Sequence, residues 1–532
     1  MKKTLFYFFV FVVIFAGMWT LTRPIPVKIE PDDITTKYGA FLASQHAIYV
    51  NDFESASNFA SQFSDVSYKT PRRTYYLAQF LNGVMPDNPE NLAKETDAAS
   101  RIIYDAYLVK NSKWDALYNR HNSDKSALYA PFRIWSGIAK KRVTETLKYI
   151  DSLDSNSSWK SFIRGQIYAE TGDIQRATKE FEKVQSEFMN INDYTYIMSF
   201  YKSHNFTDLA ELLRKDFTSN AGGMFMTSYD DFPDWKTFSG PQNALAFDLI
   251  QSVSHTKVML FSDLSVLMLR FAQIITDNSP WFNDSINYYM GQFFSNTGRN
   301  GTLHFENLSQ SNPFFLFAQM HAADESDSVD ALKNILEKQP LFIPAINKLV
   351  AIYTGKGDKS AALRVLHNAL KNPALSDSGR IYLLKRRALV YLLFDDLNRA
   401  QSDIHEAAKS SKTDSEILTI QARIWTIQKR EIENAYDYAM TMVKHDPTDI
   451  VAWDTLAFVV SEREGNDAAL DILTRVGRTA NSCSSLFEHL GDAYARNGDK
   501  KMASEAYIRA IELSSDGLSV APKIRKKLRK VK

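Results

Sequence analysis

Few stretches of this 532-residue chain hold residues whose types and spacing could do chemistry. GKGDKS (355–360) is the nearest approach to a phosphate-binding loop. It lacks the G-x4-G-K-[ST] spacing and follows no apolar strand, so it reads as a turn between two helices. The ten histidines are dispersed, no H-E-x-x-H occurs, and His405-Glu406 runs on into Ala407-Ala408-Lys409. His489 and Asp492 share a helix face and read as surface packing. HAADESDSVD (321–330) is acidic but lacks the alternating carboxylates and fixed glycine of a calcium loop, so it reads as a solvated turn and helix cap. The single cysteine, Cys483, excludes an intramolecular disulfide and a Cys-rich metal site. There is no nucleophile elbow and no glycine-rich dinucleotide turn. The expectation is a non-catalytic chain with no cofactor or metal residues.

The elements that would position any site repeat along the chain. Phe487, Leu490, Gly491 and Tyr494 follow the pattern W-x2-L-G-x2-Y, and Ala503, Tyr507 and Ala510 complete it. This is the tetratricopeptide signature. Stepping back 34 residues brings Trp453, Leu456, Ala457 and Val460 into the same slots, then Ala469, Leu473 and Val476. A second step of 34 brings Ala422, Thr426, Ala435, Ala439 and Met442, with Pro447 at the closing proline. With slips of register, further units follow at 388–407, 349–369, 162–184 and 39–63. Small residues at the Gly491, Ala503 and Ala510 slots let two helices approach closely, and Asn497-Gly498-Asp499 ends one helix with a residue able to take positive φ. Thr171-Gly172-Asp173 and Lys356-Gly357-Asp358 repeat that turn. One hairpin cannot bury its apolar face alone, so each implies a neighbour.

WDTLAFVVSEREGNDAALDIL and LFEHLGDAYARNGDKKMASEAYIRAIEL resemble tetratricopeptide-repeat proteins, in particular an envelope-associated group from alphaproteobacteria. YGAFLASQHA and YAPFRIWSGIA also resemble that group. The chain departs from its L-G-W-A unit at Leu456-Ala457-Phe458. The resemblance implies a helical solenoid that binds proteins, and no catalytic residues. The expected fold is all-α, a right-handed solenoid of such hairpins. Its concave face would be lined by Asp454, Phe458, Glu488, Asp492 and Arg496, mixed charge beside an aromatic, which suits a peptide groove.

The organisation expected is a membrane anchor over 1–23, a linker over 24–37, and hairpins over 38–218. An aromatic-rich helical region with an irregular loop at 221–241 follows over 219–325, then repeats over 326–515 and a basic cap over 516–532. In the aromatic region Trp281, Phe282, Tyr288, Tyr289, Phe293, Phe294, Phe314, Phe315 and Phe317 are either interhelical packing or an open groove. Leu5 to Leu21 is a continuous apolar run of 17 residues after Lys2 and Lys3. That is the lower end of a spanning length of ~17–25 residues. It reads as an uncleaved signal-anchor in a bacterial inner membrane with the body in the periplasm; cleavage and release, or a cytoplasm-facing body, remain open. The last ten residues, KIRKKLRKVK, hold seven Lys or Arg, with Ile524, Leu528 and Val531 on one stripe. Removing those seven charges from the net +1 leaves −6, so basic charge is segregated to a tail that either caps the array or meets an anionic surface. The near-zero total speaks against nucleic acid. The functional expectation is a membrane-anchored scaffold for protein assembly in the cell envelope. The alternative is a cytoplasm-facing regulatory subunit of a lipopolysaccharide-type biosynthesis system.

Overall fold

The computed structural model describes residues 34–532 apart from 35, 124–128, 186–188, 221–231, 256–262, 278, 298, 311, 313, 327–328, 410–413 and 479–482. The apolar run Leu5–Leu21 lies outside the described residues. Among the described residues every regular element is a helix, and none is long and apolar enough to cross a membrane.

The chain divides into two units, one of residues 1–146 with 241–282, the other of 147–240 with 283–532. The division is discontinuous, unlike the consecutive segments read from the sequence. The first unit holds α1 (Lys37–Tyr49), α2 (Phe53–Ser61), α3 (Lys69–Leu81), α4 (Ala98–Lys110), α5 (Trp114–His121), α6 (Ala130–Ala139), α12 (Pro241–His255) and α13 (Asp263–Ile275). α12 and α13 return from far along the chain because buried polar groups and rings hold them. Trp135 on α6 donates from Nε1 to Asp248 Oδ2 on α12 (2.6 Å), and Arg270 on α13 donates to the Leu81 carbonyl at the end of α3 (2.7 Å). Trp281 stacks on Phe247 in the same unit.

The second unit holds α8 (Ser157–Glu170), α9 (Ile174–Phe181), α10 (Ile191–Ser203), α11 (Thr207–Asn220), α15 (Thr302–Glu306), α16 (Phe315–Ser326) and α17 (Val329–Lys338). α7 (Val143–Ser152) and α14 (Pro280–Asn296) lie across the division in sequence. Then come five successive hairpins: α18/α19 (Ile343–Lys356, Lys359–Leu370), α20/α21 (Asp377–Leu393, Leu397–Ala407), α22/α23 (Ser415–Ile427, Ile432–His445), α24/α25 (Ile450–Arg463, Asn466–Gly477) and α26/α27 (Ser484–Arg496, Lys500–Leu513). α28 (Ala521–Val531) closes the chain. Ile524 is buried against Ala503, Tyr507 and Ala510, with Leu528 and Val531 packed beside it, so the tail's apolar stripe covers the last hairpin.

One turn geometry recurs. Gly172, Gly357 and Gly498 take φ of 80°, 85° and 77°. The next residue, Asp173, Asp358 or Asp499, donates its backbone N–H five residues back and caps the following helix with its carboxylate. The same backward bond, 2.8–3.1 Å, closes the turns at Asn51, Ser112, Lys141, Asn205, Asp395 and Lys429, where φ lies between 52° and 62°. These six are non-glycine, so hairpins α4/α5, α6/α7 and α10/α11 were not legible from glycine punctuation.

The aromatic-rich region packs inward. In the second unit Tyr288 stacks on Phe314 at 4.5 Å between ring centres, and Tyr288, Tyr289, Phe293 and Phe314 are buried. Of the two readings left open there, interhelical packing and an open groove, these buried rings follow the first. Of the expected irregular stretch 221–241, residues 221–231 lie outside the described residues, and the rest carries a single 3-10 turn, Trp235–Thr237.

Candidate functional site

The first helices of the five C-terminal hairpins lie side by side, and polar side chains link each to the next. Asn347 on α18 donates to Tyr382 Oη on α20 at 2.6 Å. Lys385 on α20 reaches Asp414 at 2.8 Å and Glu416 at 3.2 Å, at the start of α22. Arg423 on α22 donates to Asp454 on α24 at 2.6 Å and to Thr455 Oγ1 at 2.9 Å. Asp454 also accepts from Ser485 Oγ and His489 Nδ1 on α26, both at 2.7 Å. Lys527 on α28 donates to Glu488 and Asp492 on α26, both at 2.7 Å. The result is a continuous polar ladder from α18 to the cap.

Electrostatics fixes the charge states. Asp454 is fully buried, which alone would push its carboxyl up. The positive charges of His489 and Arg423, with hydrogen bonds from His489 and Ser485, overcome this and hold it at about 2. Burial would likewise push the Lys527 ammonium down, but Glu488 and Asp492 reverse the direction and keep it charged. Cys483, buried at the start of α26, has its thiol pushed up to about 11 by burial and by the nearby Asp454 charge.

The five residues expected on the groove separate accordingly. Asp454 lies beneath the face, its charge consumed by Arg423 and His489. Glu488 and Asp492 are part-buried and bridged by Lys527, and Asp492 also accepts from Tyr507 Oη at 2.7 Å. Phe458 is half-buried and stacks on His489, with ring centres 4.8 Å apart. Arg496 is exposed at the end of α26. Arg423 and Ser485 carry no motif and are signalled only by their 31-residue offsets on either side of Asp454, close to one repeat, while Lys527 lies in the basic tail.

The sites set aside for chemistry stay apart. GKGDKS forms the α18/α19 turn. His405 and Glu406 border an open, mostly polar hollow of about 590 Å³ in which Arg387 and Asp403 neutralise each other at 2.7 Å. Among the described residues no group of three or more His, Cys, Asp or Glu could hold a metal ion.

A stack of helical hairpins joined by an inward ladder is the architecture of a helical-repeat protein-interaction scaffold. Residues 484–516 match the tetratricopeptide repeat, so the last hairpin of the array is a repeat of this type. Residues 291–483 match the family described as ChAPs, Chs5p-Arf1p-binding proteins. No curated protein matches the sequence. Similar solved structures include a tetratricopeptide repeat protein from Parabacteroides merdae, at 13% identity and TM-score 0.31 over 55% of this chain and 99% of that one. The APC/C hetero-tetramer Cut9–Hcn1 matches at 11% identity and TM-score 0.33, over 94% of this chain and 96% of that one. Yeast Tom70 matches at 10% identity and TM-score 0.31, over 93% and 95%. Likeness at this level says nothing of function.

Proposed function

We propose that this chain is a non-catalytic, membrane-anchored scaffold that docks partner proteins in a bacterial cell envelope. The observation that carries the docking reading is the surface of α24 and α26. There Phe458, stacked on His489, and the exposed Arg496 lie beside acids already neutralised by Lys527. An aromatic platform with a guanidinium two turns farther along α26 suits a peptide or helix of the partner. The ladder holds this platform in place without presenting unpaired buried charge. The match of 291–483 to a family described as protein-binding supports docking, without making Chs5p or Arf1p partners of this chain.

Anchoring rests on the apolar run Leu5–Leu21. On the cap, Lys523 and Lys527 are engaged within the fold, while Arg525, Lys526, Arg529, Lys530 and Lys532 form an exposed basic face fit for an anionic surface. A photo-crosslinker at Phe458, used in membranes, is expected to capture a protein that one at Arg475, on the outer helix α25, does not. Equal capture from both positions, or none above background, sinks the docking reading. Alkaline phosphatase fused after Lys532 is expected to be active; an inactive fusion turns the reading to the cytoplasm-facing regulatory alternative.

A further inference from the structure

Helix α1 carries large apolar side chains on its outer face as well as its inner one. Its inner face is Ala40, Ala43, Ser44 and Ala47, all buried. These small residues let α1 approach α2 closely enough for Ser44 Oγ to donate to the Ala56 carbonyl at 2.9 Å. Phe41 and Ile48 pack against the core at the flank of this face, but three large apolar side chains point the other way: Tyr38 is 70% exposed, Leu42 46% and Tyr49 79%. At 100° per residue these three fall within 40° of one another, with exposed Gln45 beside them, 20° beyond Tyr38. Outward-facing end helices of a repeat array ordinarily carry polar residues for solubility. This one carries two phenols and a leucine.

The occupant follows from area and from the chain upstream. The three side chains offer about 400 Å², half of the ~800 Å² per partner that a specific protein interface needs. A second copy of the chain would find too little to hold. A lipid surface needs less, because the chain is already delivered to it. Fifteen residues, 22–36, separate the apolar run from α1. Fifteen residues of chain reach at most about 50 Å. A weak apolar face so tethered meets the bilayer at high effective concentration. Tyrosine, with an apolar ring and a polar tip, is the side chain suited to headgroup depth.

We propose that the outer face of α1 docks on the lipid interface, with Tyr38, Leu42 and Tyr49 inserted at headgroup depth. The proposal rests on the anchoring reading above. The test uses the full chain reconstituted in phosphatidylcholine liposomes. A Cys483→Ser background carries an environment-sensitive fluorophore at Gln45→Cys, or, as reference, at Glu54→Cys on α2. Doxyl-labelled phosphatidylcholine is expected to quench the probe at 45 and not at 54, and the triple change Tyr38→Ser, Leu42→Ser, Tyr49→Ser to abolish that quenching while the protein still floats with liposomes and keeps its helical circular dichroism. Flotation with no quenching at 45 overturns the docking and leaves the anchor standing. Shielding of the probe that rises with protein concentration in detergent, without lipid quenching, assigns the face to a second copy and overturns it too. Failure to float overturns the anchor and the docking together.

Discussion

Asp454 is the residue on which most of the C-terminal array turns. Its carboxylate sits in the protein interior with Arg423 and His489. Removing one member of such a group leaves a buried charge uncompensated, at a cost of about 3–5 kcal/mol, whereas apolar replacement of both partners is often neutral. Asp454→Asn is therefore expected to lower the urea midpoint strongly, and Arg423→Met with Asp454→Leu to recover much of the loss. The pH dependence has a definite sign. The folded carboxyl, at about 2, lies below its ordinary 3.8. The stability it contributes is full above roughly pH 5 and drains away as pH falls towards 2. Asp454→Asn should flatten the acid limb of a Tm-versus-pH curve in that window. An equally steep limb in the variant would remove Asp454 from the account. Gly491 is the other decisive residue: a Cβ there would sit 2.6 Å from the Tyr507 ring. Gly491→Ala is expected to destabilise although alanine is the better helix former by about 1 kcal/mol, and unchanged stability by chemical denaturation would contradict the close approach. Gly165 meets Phe181, and Gly291 meets Phe305, in the same way.

At the scale of elements, the hairpin turn is the conserved device of the chain's own repeats. Six of its turns place a side-chain-bearing residue at positive φ, which costs roughly 1–2 kcal/mol relative to ordinary backbone. Lys429→Gly, at φ 52° between α22 and α23, is expected to stabilise the second unit by up to about 1 kcal/mol; a lower Tm in the variant would show that the Lys429 side chain matters more than its backbone. These turns explain which hairpins could be read. Where glycine and a capping aspartate mark the turn, as at 172–173, 357–358 and 498–499, the pattern stands out. Where Ser112, Lys141 or Asn205 adopts the same backbone, the residue type says little, because surrounding packing imposes the conformation.

At the scale of the whole molecule, the C-terminal strap links distant parts of the second unit. Asp516 accepts from Ser484 N and Oγ at 2.7 and 2.6 Å, Lys523 donates to the Leu393 carbonyl at 2.7 Å, and Gly517 lies so close to Ala351 on α18 that a Cβ would stand 2.7 Å from its Cα. The strap thus joins the last hairpin to the first two of the array. Truncation after Leu513 removes those links and the α28 cap. It is expected to speed thiol-reagent labelling of Cys483 at pH 8 severalfold, since that thiol is protected by burial and by its raised pKa. An unchanged labelling rate would show that the strap is dispensable for closing this end.

The sequence by itself determined the helical class, the repeat unit, the small-residue slots and the apolar stripe of the cap. All of these follow from local period and side-chain size, which neighbouring residues carry. Tertiary structure alone decided which acids are spent on the ladder, that the aromatic region fills itself, that α12 and α13 return to the first unit, and that α1 turns Tyr38, Leu42 and Tyr49 outward. Each depends on partners tens to hundreds of residues away, where burial and charge compensation set the outcome and local sequence carries no record of it.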